Sequence, residues 1–203
     1  VSAAGSESAV PKTEPLSLVP EEDRAKLPED VEDAYPLVDL QAGMLFHSAY
    51  APETAVYHDV FSSRIRASLD EDLLRQSLAR VLSRHAVLRT SFALSGYSQP
   101  LQLVHREVDV PLQVEDLTSL SAAEQERAVA DWLEAEKQRA FDWQRAPLFK
   151  FQVHRLGVER FQLTLSFHHA IADGWSVATM LAELFAQYGA LLAGDGRAVP
   201  PPP

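Results

Sequence analysis

HHAIADG, residues 168–174, decides the fold of this chain, because it separates two segments with different hydrophobic periods. Before it, apolar and polar residues alternate over residues 161–167, which predicts a strand with one apolar face. After it, apolar residues recur at helical spacing over residues 177–192, which predicts a helix. The sequence therefore predicts a strand-to-helix corner that carries two imidazoles and a carboxylate.

His169 is the side chain of this corner best suited to chemistry. Continuing the strand alternation puts it on the apolar side with Phe167, and puts His168 on the polar side with Ser166. An imidazole that faces a dry surface near a carboxylate, here Asp173, can act as a base near neutral pH. The alternative is that His169 is a packed core residue, the more common role of a single histidine on an apolar strand face.

Two further segments precede the corner in the chain. One is YPLVDLQAGMLFHS at residues 35–48, and the other is RHAVLRTSF at residues 84–92. In this order, the three segments resemble the motifs of condensation domains from non-ribosomal peptide synthetases, within the chloramphenicol acetyltransferase-like superfamily. The resemblance spans residues 34–195 and includes the HHxxxDG signature, followed by Trp175 and Ser176.

The resemblance implies an α+β fold, a chloramphenicol acetyltransferase-like lobe in which helices pack on a largely antiparallel mixed sheet. A complete condensation domain has two similar lobes around a cleft, and this chain resembles the N-terminal lobe alone. The implied organisation is a linker or tether following a carrier domain at residues 1–33, the N-terminal lobe at 34–195, and a Pro-rich inter-lobe linker at 196–203. The acidic, proline-punctuated composition of residues 1–33 fits a tether, and it fits a disordered terminal tail equally well.

The hydrophobic pattern predicts the same mixture of elements. Helices are expected at residues 40–49, after capping boxes at Ser68–Glu71 and Ser121–Glu124, and after Gly174. Strands are expected at residues 57–66, 90–94, 101–104, 110–115, 148–156 and 160–167. This order lacks regular strand–helix alternation, so it favours an α+β fold.

The resemblance also implies which residues do the chemistry. His169 matches the catalytic histidine, which acts either as a general base or as the group that positions the amine. His168, Asp173 and Gly174 match supporting residues of the active site. The amide of Gly174, at a helix N-terminus, is a candidate donor to an oxyanion, and the alternative is that Gly174 only permits a tight turn.

Asp173 is implied to have a structural partner. In the family, the acid of HHxxxDG forms an ion pair with an arginine of the second motif. Arg89 is the first candidate for that arginine and Arg84 is the second. Direct contact between Asp173 and His169 is the alternative arrangement.

The implied function is amide formation between a carrier-bound acyl or peptidyl donor and a carrier-bound aminoacyl acceptor. The implied partners are the upstream and downstream peptidyl carrier domains and the C-terminal lobe of the same domain. No cofactor is expected in this domain, because the substrates are carried on the phosphopantetheine of the carriers. The alternatives are an epimerisation domain, a stand-alone acyltransferase, and a non-catalytic carrier-docking lobe. The isolated chain is expected to fold but to be inactive, because one lobe encloses only half of the cleft.

Composition limits the classes of partner. The net charge of −11 argues against nucleic acid or an anionic membrane as the main partner. The chain has no cysteine, which excludes disulfides and cysteine-based zinc sites, and its scattered histidines predict no metal site. The first thirty residues lack the features of a secretion signal, so a bacterial cytoplasmic protein is expected.

Overall fold

A computed structural model describes residues 14–51 and 55–196 of the chain. Its helices are α1 (Glu21–Arg24), α2 (Asp39–Tyr50), α3 (Glu71–Arg84), α4 (Ala122–Lys137) and α5 (Gly174–Leu192), with a 3₁₀ turn at Ala86–Arg89. Its strands are β1 (Val31–Pro36), β2 (His58–Ile65), β3 (Thr90–Ala93), β4 (Leu101–His105), β5 (Leu112–Asp116), β6 (Phe149–Gly157) and β7 (Arg160–His168). The predicted Pro-rich segment lies outside the described residues, except for Gly196.

The strands divide between two sheets. The larger sheet has the order β2-β7-β6-β5, in which β7 is antiparallel to both neighbours and β5 is parallel to β6. The smaller sheet has the order β1-β4-β3 and is antiparallel throughout. The predicted α+β class with largely antiparallel pairing is confirmed. The central position of β7 in the larger sheet fixes the backbone that leads into HHAIADG.

The main core lies where α3 and α5 pack with the larger sheet. Leu78 and Val81 of α3, Leu184 of α5 and Phe151 of β6 are each at most 1% exposed. Fully burying one such side chain contributes about 1.5–3 kcal/mol to the free energy of folding. The apolar faces that helical periodicity predicted for α3 and α5 therefore form this core. Their packing holds the N-terminus of α5 next to the end of β7.

Two predicted helix starts have different outcomes. Ser121 and Glu124 form the expected capping box before α4, with each side chain bonded to the other residue's backbone amide. The box predicted at Ser68–Glu71 is wrong, because α3 is capped by Asp70, whose Oδ1 accepts from the Leu73 amide at 3.0 Å. A carboxylate directly before the first helical residue satisfies that free amide, so the helix begins after Asp70.

The N-terminal segment differs from the predicted tether over residues 14–33. Val19 and Ala34 are at most 1% exposed, and β1 forms a full edge of the smaller sheet. Composition is misleading here because several acids of this segment have partners elsewhere in the fold, such as Arg89 for Glu32 and His105 for Asp30. Asp23 accepts hydrogen bonds from Lys26 and Ser98, which lower its pKa to about 2. That this segment follows a carrier domain stays a prediction.

Candidate active site

The strand-to-helix corner is held by backbone hydrogen bonds that extend the β2–β7 ladder on one side of β7 and the β6–β7 ladder on the other. The His169 amide donates to the Tyr57 carbonyl at 2.8 Å, and the His168 amide donates to the Leu148 carbonyl at 2.9 Å. β7 ends at His168 and α5 begins at Gly174, as the change of hydrophobic period predicts. The backbone of both histidines is therefore held by the sheet and does not belong to a free loop.

His169 is the exposed histidine of the pair. Its side chain is 33% exposed, while its Nδ1 is buried, so the exposed part of the ring is the far edge that carries Nε2. The ring lies 6.2 Å from the ring of Phe167, on the side of the strand that alternation predicts. Nδ1 lies 3.2 Å from Oδ2 of Asp59 on β2, without the alignment of a full hydrogen bond.

Asp59 is the acid that sequence reasoning missed. The spacing of the motif pointed to Asp173 as the carboxylate nearest to His169. The antiparallel register of β2 with β7 instead pairs Asp59 with Phe167, which puts Asp59 diagonally across from His169. The two residues are more than a hundred positions apart, so only strand pairing reveals their contact.

His168 is buried and structural in its contacts. It is 2% exposed, its Nδ1 accepts from the Ala170 amide at 3.1 Å, and its Nε2 lies 3.2 Å from Ser48 Oγ. Because Nδ1 accepts, the proton of the neutral ring is on Nε2 and is donated to Ser48. Burial, with the nearby rings of His58 and His169, lowers the pKa of His168 to about 4. The side chain is therefore neutral at physiological pH and ties the corner to α2.

Asp173 caps α5, which corrects the predicted ion pair. Its Oδ1 accepts from the Ser176 amide at 2.8 Å and from the Ser176 hydroxyl at 2.7 Å. These bonds lower the pKa of Asp173, with a smaller effect from His169. Within the described part of the chain, neither Arg89 nor Arg84 lies within ion-pair distance of Asp173. The carboxylate takes the free amide of the helix start instead, because that donor is the nearest one.

The two arginines hold other acids. Arg84 binds Glu183 of α5 at 2.5 Å, and His85 binds the same carboxylate at 2.6 Å. Arg89 binds Glu32 of β1 at 2.8 Å and donates to the Leu82 carbonyl at 2.9 Å. The second motif thus fixes α5, because Arg84 and His85 both bind Glu183. The spacing of the motifs did not identify Glu183 as their partner.

Gly174 is the first residue of α5. A Cβ built on it would meet no atom within 4 Å, and its φ is not in the left-handed region. Neither crowding within this chain nor backbone conformation therefore requires glycine at this position. The carboxylate of Asp173 already occupies the helix N-terminus, and a second negative charge there would be repelled by it.

Gln41, from the first motif, is a second residue that sequence reasoning did not place at the corner. Its Nε2 donates to the Ala170 carbonyl at 3.1 Å and to Oε1 of Gln102 at 2.8 Å. It joins α2 and the smaller sheet to the backbone of HHAIADG. The available signal was a polar amide side chain one residue after an apolar one, near the start of the predicted helix.

A separate Ser–His–Asp array lies in the smaller sheet. Ser91 Oγ is 2.7 Å from Nε2 of His105, and His105 Nδ1 is 2.7 Å from Oδ2 of Asp30. These distances match those of a catalytic triad. However, Ser91 is 1% exposed and lies within β3, so a substrate cannot reach its hydroxyl. The array is a hydrogen-bonded link between β3, β4 and the start of β1, with Ser91 at its buried end and Asp30 at its exposed end.

Exposed aromatic side chains lie around the corner. Phe61 of β2 is 50% exposed and stacks on Phe167 at 5.9 Å, beside His169. Next to the start of α5, a cavity of about 250 Å³ lies between Trp175, Met180 and the 3₁₀ turn. Trp175 itself is 83% exposed. The surface at the corner therefore combines exposed aromatic side chains with the carboxylates of Asp59 and Asp173.

Two other kinds of feature are absent from the described residues. Across residues 14–51 and 55–196, no three His, Asp or Glu side chains converge in a way that would hold a metal ion. Among the helices described above, none combines the length and the apolar character needed to cross a bilayer.

Comparison with protein families and curated proteins adds to this geometry. Residues 31–203 match the family model for the condensation domain. The AMB antimetabolite synthetase AmbE of Pseudomonas aeruginosa is 38% identical over 189 residues, covering 92% of this chain and 9% of that protein. A linear gramicidin synthase of Brevibacillus parabrevis is 40% identical over 174 residues, covering 85% of this chain and 3% of that protein. The chain therefore spans less than a tenth of the length of these two relatives.

Solved structures share the fold. The starter condensation domain of rhizomide synthetase RzmA matches with a TM-score of 0.72 at 21% identity, covering 82% of this chain and 40% of that chain. The first condensation domain of the calcium-dependent antibiotic synthetase, in complex with substrate analogue 2a, matches with a TM-score of 0.72 at 20% identity, covering 83% and 40% respectively.

Proposed function

Because this chain belongs to the condensation domain family of non-ribosomal peptide synthetases, we propose that it is the N-terminal, HHxxxDG-bearing lobe of such a domain. In this proposal the whole domain forms an amide bond between a carrier-bound acyl or peptidyl donor and a carrier-bound aminoacyl acceptor. The length of the match supports the lobe assignment, since the chain covers 40% of each of two solved condensation domain chains.

The observation that carries the proposal is the position of the His169 ring. It lies at the hydrogen-bonded end of β7, with Nδ1 buried and the opposite edge of the ring exposed beside apolar surface. In the reaction, the acceptor amine attacks the donor thioester carbon, the new C–N bond forms and the C–S bond breaks. The amine loses a proton and the departing thiolate gains one. His169 accepts a proton or a hydrogen bond from the amine during this exchange.

The other residues of the motif support His169: His168 and Asp173 do so through structural contacts, and Gly174 lies at the start of α5. His168 links the corner to Ser48, and Asp173 fixes the first turn of α5. Gly174 leaves open space at the helix start, and its amide stays a candidate donor to the oxyanion. Arg84 and Arg89 hold the surrounding elements through Glu183 and Glu32.

The partners follow from the same proposal. The donor and the acceptor arrive on phosphopantetheine arms of the upstream and downstream peptidyl carrier domains, in the bacterial cytoplasm, and this domain itself holds no cofactor. The C-terminal lobe covers the apolar surface that includes Phe61 and Trp175. The chain without that lobe folds but does not turn over, because two carrier-bound substrates need both walls of the cleft.

A non-catalytic carrier-docking lobe is the second candidate function. The observation in its favour is that the Asp173 carboxylate shares the helix N-terminus where an oxyanion would bind. A docking lobe would bind loaded carriers without using His169. Substitution of His169 therefore separates the two functions.

The test uses the intact synthetase with preloaded donor and acceptor carriers, so that only amide formation is measured. His169→Ala is expected to lower the single-turnover rate by about 10²–10⁴-fold, the usual contribution of a general base. Carrier binding and thermal unfolding serve as controls and are expected to match the unsubstituted protein. Near-normal amide formation by a folded His169→Ala protein would sink the catalytic assignment and favour the docking function.

A further inference from the structure

We infer that Asp59 is a positioning residue for His169, and that its carboxylate holds the imidazole proton on Nδ1. The lone pair of the neutral ring is then on Nε2, at the exposed edge where the acceptor amine would be bound. This inference deepens the proposed function and rests on it. It assigns a role to a residue outside the three motifs, on the strand that pairs with the HHxxxDG strand.

The placement of Asp59 is fixed by backbone pairing. In the antiparallel ladder Asp59 pairs with Phe167, and the His169 amide continues the ladder by bonding to the Tyr57 carbonyl. Asp59 and His169 are therefore diagonal neighbours on one face of the sheet, a separation that side chains of this length can bridge. The 3.2 Å distance from Asp59 Oδ2 to His169 Nδ1 is the result.

The other ionisable groups near His169 leave Asp59 as its direct acid. Asp173, at the start of α5, also acts electrostatically on His169, but its Oδ1 is bonded to the amide and hydroxyl of Ser176. His168, at the end of β7, is neutral because burial lowers its pKa to about 4. Among the described residues, Asp59 is the carboxylate within ion-pair distance of His169.

The chemistry follows from which nitrogen faces the acid. A neutral imidazole has one N–H and one lone pair, and a carboxylate beside one nitrogen favours the proton on that nitrogen. With the proton on Nδ1, Nε2 can accept the proton that the amine releases as the C–N bond forms. Asp59 also stabilises the resulting imidazolium, and the proton then passes to the departing thiolate. Asp59 is 47% exposed, so solvent screens this stabilisation.

The experiment measures single-turnover amide formation by the intact synthetase between pH 5 and pH 9 with preloaded carriers. Asp59→Ala removes both the charge and the acceptor, and is expected to slow the reaction by about tenfold. The acid limb of its pH–rate profile is expected to move to lower pH, since the protonated ring loses a partly exposed negative neighbour.

Asp59→Asn separates the two effects. The amide oxygen of asparagine can still lie beside Nδ1 as an acceptor, so most of the rate is expected to return, while the acid limb stays shifted because the charge is gone. The matched control is Glu115→Ala, which removes an acid 3.5 Å from His154 Nε2 at the opposite edge of the same sheet. That variant is expected to keep the original rate and profile.

Three outcomes would overturn the inference. The first is an unchanged rate and pH profile in Asp59→Ala. The second is a slower rate in Asp59→Ala with an unmoved acid limb and a lower unfolding temperature. The third is a loss of rate in Asp59→Asn as large as that in Asp59→Ala. The proposed function is tested separately by His169→Ala. If that variant is inactive while Asp59→Ala behaves like the original protein, the function stands and only the role of Asp59 is wrong.

Discussion

Two acid–histidine clusters among the described residues, one around His105 and one around His169, have nearly opposite properties. His105 is bonded at both nitrogens, to Ser91 and to Asp30, each at 2.7 Å, and the Ser91 hydroxyl is closed to solvent. His169 approaches one acid loosely, at 3.2 Å from Asp59, and exposes the other edge of its ring. By hydrogen-bond geometry alone, the first cluster resembles a catalytic triad more closely than the second does.

The difference shows that accessibility, rather than a complete set of hydrogen bonds, distinguishes the reactive histidine. A buried polar group without a partner costs about 1–3 kcal/mol, so the buried cluster must be fully bonded. A base must instead keep one lone pair free for its substrate. Among the described residues, the ring of His169 makes no hydrogen bond, whereas both nitrogens of His105 are hydrogen-bonded.

The largest expected difference between the clusters is in amide formation. His169→Ala is expected to lose about 10²–10⁴-fold in rate, whereas His105→Ala at low temperature should stay within about threefold of the unsubstituted synthetase. The physical reason is that both nitrogens of His105 are already hydrogen-bonded, so neither is free to accept a proton from the amine. Single-turnover assays on both proteins at about 10–15 °C, where a destabilised variant stays folded, check this. Equal losses in two folded proteins would break the comparison.

The next largest effect is on stability, at the ion pair that holds α5. Glu183 is fully buried and binds Arg84 and His85, so Glu183→Ala is expected to lower the free energy of unfolding by about 3 kcal/mol. Denaturant unfolding of the domain measures this. The control is Glu71→Gln, at a half-exposed pair with Arg75, which should cost less than about 0.5 kcal/mol. Similar costs for both variants would contradict the buried-pair assignment.

A smaller effect is expected at Ser91. Ser91→Ala removes one bond to His105 and should lower the free energy of unfolding by about 1–2 kcal/mol while amide formation is unchanged. A fluorophosphonate probe, which labels reactive serines, should leave Ser91 unmodified, because its hydroxyl is buried. Labelling that disappears in Ser91→Ala would show that the buried cluster opens and reacts.

The smallest effect is a change in pH dependence. The hydrogen bond from His105 holds the pKa of Asp30 below its usual value. A carboxyl whose pKa is lower in the folded state stabilises the protein above its unfolded pKa of about 4, and this contribution is lost as the pH falls through the folded pKa. Asp30→Asn should therefore flatten the loss of stability below about pH 4, with activity at neutral pH unchanged. Thermal unfolding from pH 3 to pH 7 checks this, and a curve parallel to that of the original protein would exclude it.

Much of the fold could be predicted because hydrophobic period depends on local geometry. Alternation over residues 161–167 predicted β7, and the helical stripe after Gly174 predicted α5. Reasoning from composition failed for β1, because the acids of this segment made it resemble a tether. Asp23 and Glu32 are paired with Ser98 and Arg89, and these partners cannot be seen from composition.

The sequence by itself determined the strand-to-helix corner and the side of the strand on which His169 lies, because side-chain direction along a strand follows from residue spacing. Tertiary structure alone decided the partners at that corner. Strand register brings Asp59 next to His169. Glu183 forms an ion pair with Arg84, and Asp173 caps its own helix. Spacing fixes the face on which a side chain lies, but its partner depends on how distant segments pack, and that leaves no periodic signal in the sequence.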